Sequence, residues 1–330
     1  MTKRKGLIFL AAAGLCLLGA LGSLCFGAVS LSPRSLWEAI TNGANSTAGY
    51  IFWYSRLPRT AACLLSGCAL AVSGCILQKV LGNNLASPSI IGVNSGAGLA
   101  VTLCCASGLL SSWGISLSAF AGALGAVLFV TLLSRATGAS RTTVILTGVA
   151  VNSIFGAMSD AVVTLVPDAA MLSGDFRVGG FSSVVPSRLV SAGCLILVAF
   201  VISLTLCNEL DVLSLGEETA QSLGLRVKKI RIYFLLLAAL LAGCAVSFAG
   251  LLGFVGLLVP HAAAKLVGSR SLESLPLSAL LGAGFVTVCD LAARLLFAPY
   301  ELPVGILLSL IGGPCFLILL LKKRGGHRNA

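Results

Sequence analysis

Charge is scarce in this sequence. Only 10% of its 330 residues are Asp, Glu, Lys or Arg, while 57% are hydrophobic. Soluble chains carry roughly 25% charged residues, so this one cannot clothe a water-facing surface, and a soluble globular domain is excluded. No lysine follows a glycine anywhere, so the chain lacks a phosphate-binding G-x-x-x-x-G-K-[ST] loop of its own. Few ionisable groups fall inside the apolar runs, too few for a proton relay, so any uphill work draws its energy from another chain. H-E-x-x-H is missing, and two histidines do not build a metalloenzyme site. C-x-x-C is missing too. The 12 cysteines sit almost entirely inside apolar runs, where they read as small hydrophobes packing between helices.

What the chain has is apolar runs of about 20 residues, the length that crosses a bilayer as a helix. Barrel strands would alternate polar and apolar over roughly ten residues, and these runs do not. The expected fold is therefore an all-α integral membrane protein, one transmembrane domain over 1–330. About ten spans are expected, near 6–28, 59–80, 90–107, 114–134, 142–166, 188–206, 230–250, 251–267, 273–297 and 303–321. The first resembles a signal peptide behind Lys3, Arg4 and Lys5, but its apolar stretch exceeds the usual 7–15 residues of a signal core.

Ten spans place both termini on one side. Taking that side as the cytoplasm puts sixteen Lys and Arg inside and six outside, as the positive-inside rule expects. The net charge of +11 thus reflects membrane topology, not a nucleic-acid partner. All eight lysines fall inside, and the six outer cations (Arg34, Arg56, Arg59, Arg177, Arg188 and Arg294) are all arginine. Guanidinium grips carboxylates with a planar fork that ammonium lacks. Arg56 and Arg59 flank Pro58, which is expected to keep the preceding segment from continuing the helix.

Several stretches stand out. Gly67, Ala71, Gly74 and Gln78 share one face of the second span, for helix packing or for pore lining. Asn83 and Asn84 then begin an inner turn leading to a glycine-rich third span. Nonhelical backbone at that depth is tolerated where protein or water covers it. An echo between SGCALAVSG (66–74) and AGCAVSFAG (242–250) suggests an inverted repeat. Asn152 and Asp160 lie in the fifth span, and an intramembrane carboxylate is a functional candidate by default. Pro260 and His261 are placed at the inner end of the eighth span. Asp290 and Arg294 stand at i, i+4, a spacing that pairs opposite charges along one helix. Gly305, Ser309 and Gly312 line one face of the tenth span. In the inner connection 207–229, Gly216 is placed to start and Gly224 to end a short helix. Glu217 and Glu218 fall in its first turn, where the helix dipole favours anions. That helix is either a solvated linker or a plug for a cleft on a cytoplasmic partner.

In order, RLPR (56–59), GCALAVSG, NNLASPSIIGVNSGAG, GEETAQSLGL, GFVGLLVPH, DLAAR (290–294) and ELPVGI with GGPCFLILL resemble the FecCD-type permeases. These are membrane subunits of ABC importers for iron-siderophores, haem and cobalamin. The resemblance covers nearly the whole chain. Asn83-Asn84 stands where Asn-Pro is usual. The resemblance implies a cobalamin/iron-chelate permease-like bundle in a bacterial cytoplasmic membrane, with both termini cytoplasmic. It implies a homodimer on two cytoplasmic ATP-binding subunits, loaded by an extracytoplasmic substrate-binding protein, with no cofactor and no catalytic residue. Arg56, Arg59 and Arg294 would dock the binding protein. Leu215, Gly216, Glu217, Ala220, Leu223 and Gly224 would couple to the ATPases. Gln78, Asn83, Asn152, Asp160, Pro260, His261, Gly305 and Ser309 are candidates for the translocation path, with the fifth and tenth spans switching. The expected cargo is a ferric-siderophore, with cobalamin or haem as the alternative. A stand-alone secondary transporter is the rival from another class, and a membrane enzyme a more distant one.

Overall fold

The computed structural model describes residues 3–27, 33–41, 43, 46–136, 140–298 and 300–325. Among these no strand occurs; helices follow one another throughout. The first are α1 (Lys3–Cys25), α2 (Pro33–Thr41), α3 (Thr47–Ile51), a π-helical stretch (Phe52–Arg56) and α4 (Leu57–Val80). Next come α5 (Val93–Ala106), α6 (Ser112–Ala136), α7 (Arg141–Leu165), α8 (Pro167–Val178) and α9 (Pro186–Thr205). The chain ends with α10 (Cys207–Ser214), α11 (Glu217–Ser222), α12 (Val227–Ala249), α13 (Val255–Val267), α14 (Ser271–Leu296) and α15 (Val304–Gly325).

Among the described residues, seven helices are long and apolar enough to cross a membrane. They are α1, α4 with its helical lead-in, α6, α7, α9, α12 and α14. The remaining expected spans correspond to the shorter apolar helices α5 and α13 and to the apolar stretch Val304–Leu319 of α15. At 14 and 13 residues, α5 and α13 rise only about 21 and 20 Å, short of a hydrocarbon core about 30 Å thick. Nonhelical backbone at 81–92 and 250–254 precedes them, much of it covered by neighbouring helices.

Polar contacts sort the helix ends into two groups. At one end Lys5 at the start of α1 reaches Glu273 at the start of α14, and Lys79 at the end of α4 reaches Asp211 of α10. At the other, Arg59 meets Glu301 just before α15 and Arg188 at the start of α9 meets Ser112 at the start of α6. The helix directions then place every described lysine at the first end and the six segregated arginines at the second. We call these the lysine end and the arginine end. Both described ends of the chain lie at the lysine end; Arg328 lies outside the described residues.

α4 is the axle of the bundle. It packs against α12, where Ser73 Oγ donates to the Ala238 carbonyl at 2.6 Å, and against α14 and α13. A methyl at Gly67 would overlap the Gly282 carbonyl, one at Gly282 the Gly67 carbonyl, and one at Gly74 the Gly256 carbonyl. Lipid supplies no hydrophobic force between helices, so small residues that admit close backbone contact hold them together. Packing is thus the role of these glycines. The echoed segments fall in α4 and α12, the two most buried of the long helices.

Pro58 does not stop the helix as expected. The chain is helical from Thr47 through the π turn into α4, and the Leu57 N–H bonds the Phe52 carbonyl five residues back. A proline lacks its N–H and crowds the carbonyl four residues earlier; the widened turn absorbs both problems.

Candidate functional site

The arginine end gathers the three arginines singled out from the sequence. Asp290 is almost fully buried, at 1% exposure, and carries two of them. Arg59 Nη2 and Nε donate to its oxygens at 3.0 and 3.1 Å, and Arg294 Nε lies 3.0 Å from Oδ2. Arg59 Nη1 turns outward to Glu301 Oε2 at 2.6 Å. Arg294 Nη2 donates to Ser23 Oγ at 2.8 Å, and Ser23 in turn meets Thr60 at 2.8 Å. Arg56 Nη1 donates to the Phe26 carbonyl, which closes the end of α1 over the cluster. The i, i+4 pairing of Asp290 and Arg294 holds, but only the fold brings Arg59 to the same carboxylate. Arg56 and Arg294 are buried, whereas Arg59 keeps 13% and Glu301 40% of its side chain exposed. Burial alone would push the Glu301 carboxyl up. The Arg59 hydrogen bond and charge, with Arg294 and Arg56 behind, outweigh it and hold the group below the ordinary carboxylate value.

Beside this cluster three chain segments meet through backbone bonds. Leu251 N–H donates to the Phe176 carbonyl at 2.9 Å, Gly180 N–H to the Ala249 carbonyl at 2.9 Å and Gly305 N–H to the Gly179 carbonyl at 3.1 Å. A methyl at Gly305 would overlap the Val178 carbonyl, so the end of α8, the α12–α13 link and the start of α15 form one clasp. Ser309 Oγ, one turn on, donates to the Gly305 carbonyl at 2.9 Å. Between the fifth and sixth expected spans, where no helix is expected, the chain forms α8. Its signature was present: Pro167 and Asp168 in the first turn and Gly179 just past the end. Asp160 does not stand in a buried path within this chain. It is exposed and pairs with Arg177 of α8 at 3.3 Å.

The turn before α5 is held by side chains flagged from the sequence. Asn83 Oδ1 accepts from Leu85 N–H at 3.0 Å. Asn152 Nδ2 donates to the Ser89 carbonyl at 2.8 Å and the Ile90 carbonyl at 3.2 Å. Its Oδ1 accepts from Ser95 Oγ at 2.6 Å. One asparagine on α7 therefore satisfies carbonyls that the missing helical turn of α5 leaves open. Gln78 Nε2 donates to the Leu257 carbonyl at 3.1 Å, three residues before Pro260. Pro260 and His261 lie mid-way along α13, not at its inner end, because α13 starts only at Val255.

At the lysine end, α10 and α11 stand on the bundle as two short helices. The expected helix between Gly216 and Gly224 is α11. Gly216 takes φ +118° and Gly224 φ +83°, backbone that a side chain would strain. Ala220 is fully buried while Leu215 and Leu223 are 63% and 62% exposed. The pair is tied down at three points. Asp211 Oδ1 receives Lys79 Nζ at 3.0 Å and the Ser271 N–H at 2.9 Å. Arg141 Nη2, at the start of α7, donates to the Leu213 carbonyl at 2.7 Å. Buried Arg231 of α12 donates to Glu217 Oε2 at 3.1 Å. Lys79, Arg141, Asp211 and Arg231 were not singled out as site residues. Their partners lie 14 to 192 residues away in sequence, so no local spacing reveals them.

The sequence pattern of the FecCD transport family matches residues 15–322. The chain belongs to this family. Among FecCD relatives, the hemin transport system permease protein HmuU of Yersinia pestis is 39% identical over 312 residues, 92% of each chain. The iron(3+)-hydroxamate import system permease protein FhuB of Bacillus subtilis is 40% identical over 337 residues, 98% of this chain and 86% of FhuB. A solved structure described as an inward-facing conformation of a metal-chelate type ABC transporter superposes with a TM-score of 0.85. It is 30% identical and covers 96% of this chain and 99% of its own. This FecCD chain is a multi-pass membrane permease and not a catalytic subunit.

Proposed function

We propose that the chain is the permease of an ABC importer for an iron chelate, a ferric-siderophore in the first instance. An extracytoplasmic binding protein delivers the cargo and a separate ATPase drives the cycle. The observation that carries this reading is the polarity of the bundle. One end holds three arginines against two carboxylates, and the other carries a pinned helix pair with two exposed leucines, in a chain with no nucleotide-binding loop. The arginine end is then extracytoplasmic, and both termini are cytoplasmic.

Arg59 is the contact the docking partner meets first. Asp290 orients its fork from below, and the half-exposed Glu301 is the carboxylate that an acidic side chain of the partner displaces. Arg56 and Arg294 keep the mouth net positive. Single exposed ion pairs contribute only about 0–1 kcal/mol, but several together set register and association rate. At the opposite end Leu215 and Leu223 enter a cleft on the ATPase while Gly216, Glu217, Ala220 and Gly224 shape and seat α11. Two copies enclose the path between them. α7 and α15 rock along it, with Gly305 and Ser309 at the clasp, Asn152 and Asp160 of α7 facing it, and Gln78, Asn83 and Pro260 shaping the backbone behind it. Haem is the second reading, favoured by the likeness to HmuU; cobalamin is the third.

Proteoliposomes test the proposal. Uptake of ferric-siderophore should require both the ATPase and the binding protein. Uptake by the chain alone, driven by an ion gradient, would identify a secondary transporter. Arg59→Glu should weaken docking of the binding protein and flatten its salt dependence; unchanged affinity removes the docking role.

A further inference from the structure

We propose that the cleft between α13 and α15, floored by α14, is a binding site for one anionic phospholipid. Its headgroup sits on Lys265, and one acyl chain runs inward toward the bilayer centre. The concavity has a volume of 480 Å³. Leu258, His261 and Lys265 line one wall at i, i+3 and i+7 of α13, a single helix face. Ile311 and Ile318 line the other wall and Phe285 the floor. Ile311 and Ile318 remain 38% and 55% exposed, so the chain itself does not fill the space. From Ile311 to Ile318 the cleft runs about 10 Å along α15, roughly a third of the hydrocarbon core.

Charge selects the occupant. Lys265 is exposed in the last turn of α13 and has no ion pair among the described residues. Lys3, Arg4 and Arg270 are exposed at the same end. No Asp or Glu occurs in α1, α13 or α15. α14 has two, but Glu273 is held by Lys5 at 2.5 Å and Asp290 lies at the arginine end. A phosphate at the cleft mouth therefore meets Lys265 and no available carboxylate of these helices. A zwitterionic headgroup would bring its own cation against Lys265. An apolar helix from a second copy would cover Lys265 without neutralising it; the exposed apolar helix α7, for one, carries no carboxylate before Asp160. Basic residues near a membrane surface favour anionic lipid by about 1 kcal/mol each, about five-fold. This site takes no part in the docking or coupling proposed above and stands whether or not those hold.

The test uses the full chain reconstituted in phosphatidylcholine, with a tryptophan reporter introduced as Ile318→Trp and, independently, as Phe285→Trp. Trp37, Trp53 and Trp113 all lie toward the arginine end, so the reporter is read by difference. Acyl-dibrominated phosphatidylglycerol should quench the reporter at about one-fifth the mole fraction that dibrominated phosphatidylcholine requires. Lys265→Gln should abolish that preference and Lys265→Arg should retain it. Equal quenching by the two lipids overturns the proposal. So does quenching by neither, which would show that a protein segment covers the cleft.

Discussion

Asp290 is the residue on which the arginine end turns, because it pairs with buried Arg294 and largely buried Arg59 at once. Removing one partner of a buried ion pair leaves an uncompensated charge and costs about 3–5 kcal/mol. Asp290→Asn should therefore lower the thermal midpoint of the detergent-solubilised chain strongly. Glu301→Gln breaks a half-exposed contact and should cost at most about 1 kcal/mol. Equal losses would contradict the burial difference. The same pair sets a pH dependence. The Glu301 carboxyl is depressed in the folded chain, so its stabilising contact is complete above the ordinary carboxylate value of about 4.3 and is lost as pH falls through the lowered value. The stability difference between wild type and Glu301→Gln should stay constant from neutral pH down to that ordinary value and close only below it. That all lysines share one end was legible from the order of the apolar spans. The carboxylate that Arg59 uses was not, since it lies 231 residues further along the chain.

Among the elements, α10 is a lever with two attachments. Asp211 fastens it to the ends of α4 and α14, the closely packed pair at the bundle centre, while Leu213 hangs from Arg141 on α7. If α11 couples as proposed, a push on it reaches α7 through one charged hydrogen bond, worth about 1.5–3 kcal/mol. Arg141→Met should leave ATP hydrolysis within about two-fold while transport falls roughly ten-fold. Parallel loss of both would show that Arg141 only supports folding. The helix α11 itself was readable, because Gly216, the two glutamates and Gly224 form a local start and stop. The π turn at Phe52–Arg56 was not. Pro58 is a breaker by local rules, and only burial of α4 against α12, α13 and α14 repays a widened turn through it.

Over the whole molecule, α7 and α15 present exposed apolar faces that a single chain leaves uncovered. Met158 and Leu310 are 48% and 63% exposed. If two copies enclose the path, cysteines placed as Met158→Cys and Leu310→Cys should cross-link one copy to another. The background should first have the exposed Cys194 and Cys315 replaced. Exclusively monomeric chains after oxidation in the membrane would refute the paired arrangement.

Composition and order were enough to choose the solvent, the helical class, the approximate spans and the end to which each described cation belongs. Those properties follow from local spacing and from the cost of leaving backbone groups unsatisfied in lipid. Three-dimensional packing decided which glycines touch, where short helices hand over to nonhelical backbone, and which carboxylate each arginine holds. Such pairings depend on close approach between segments remote in the chain, and nothing in the neighbouring residues encodes that distance.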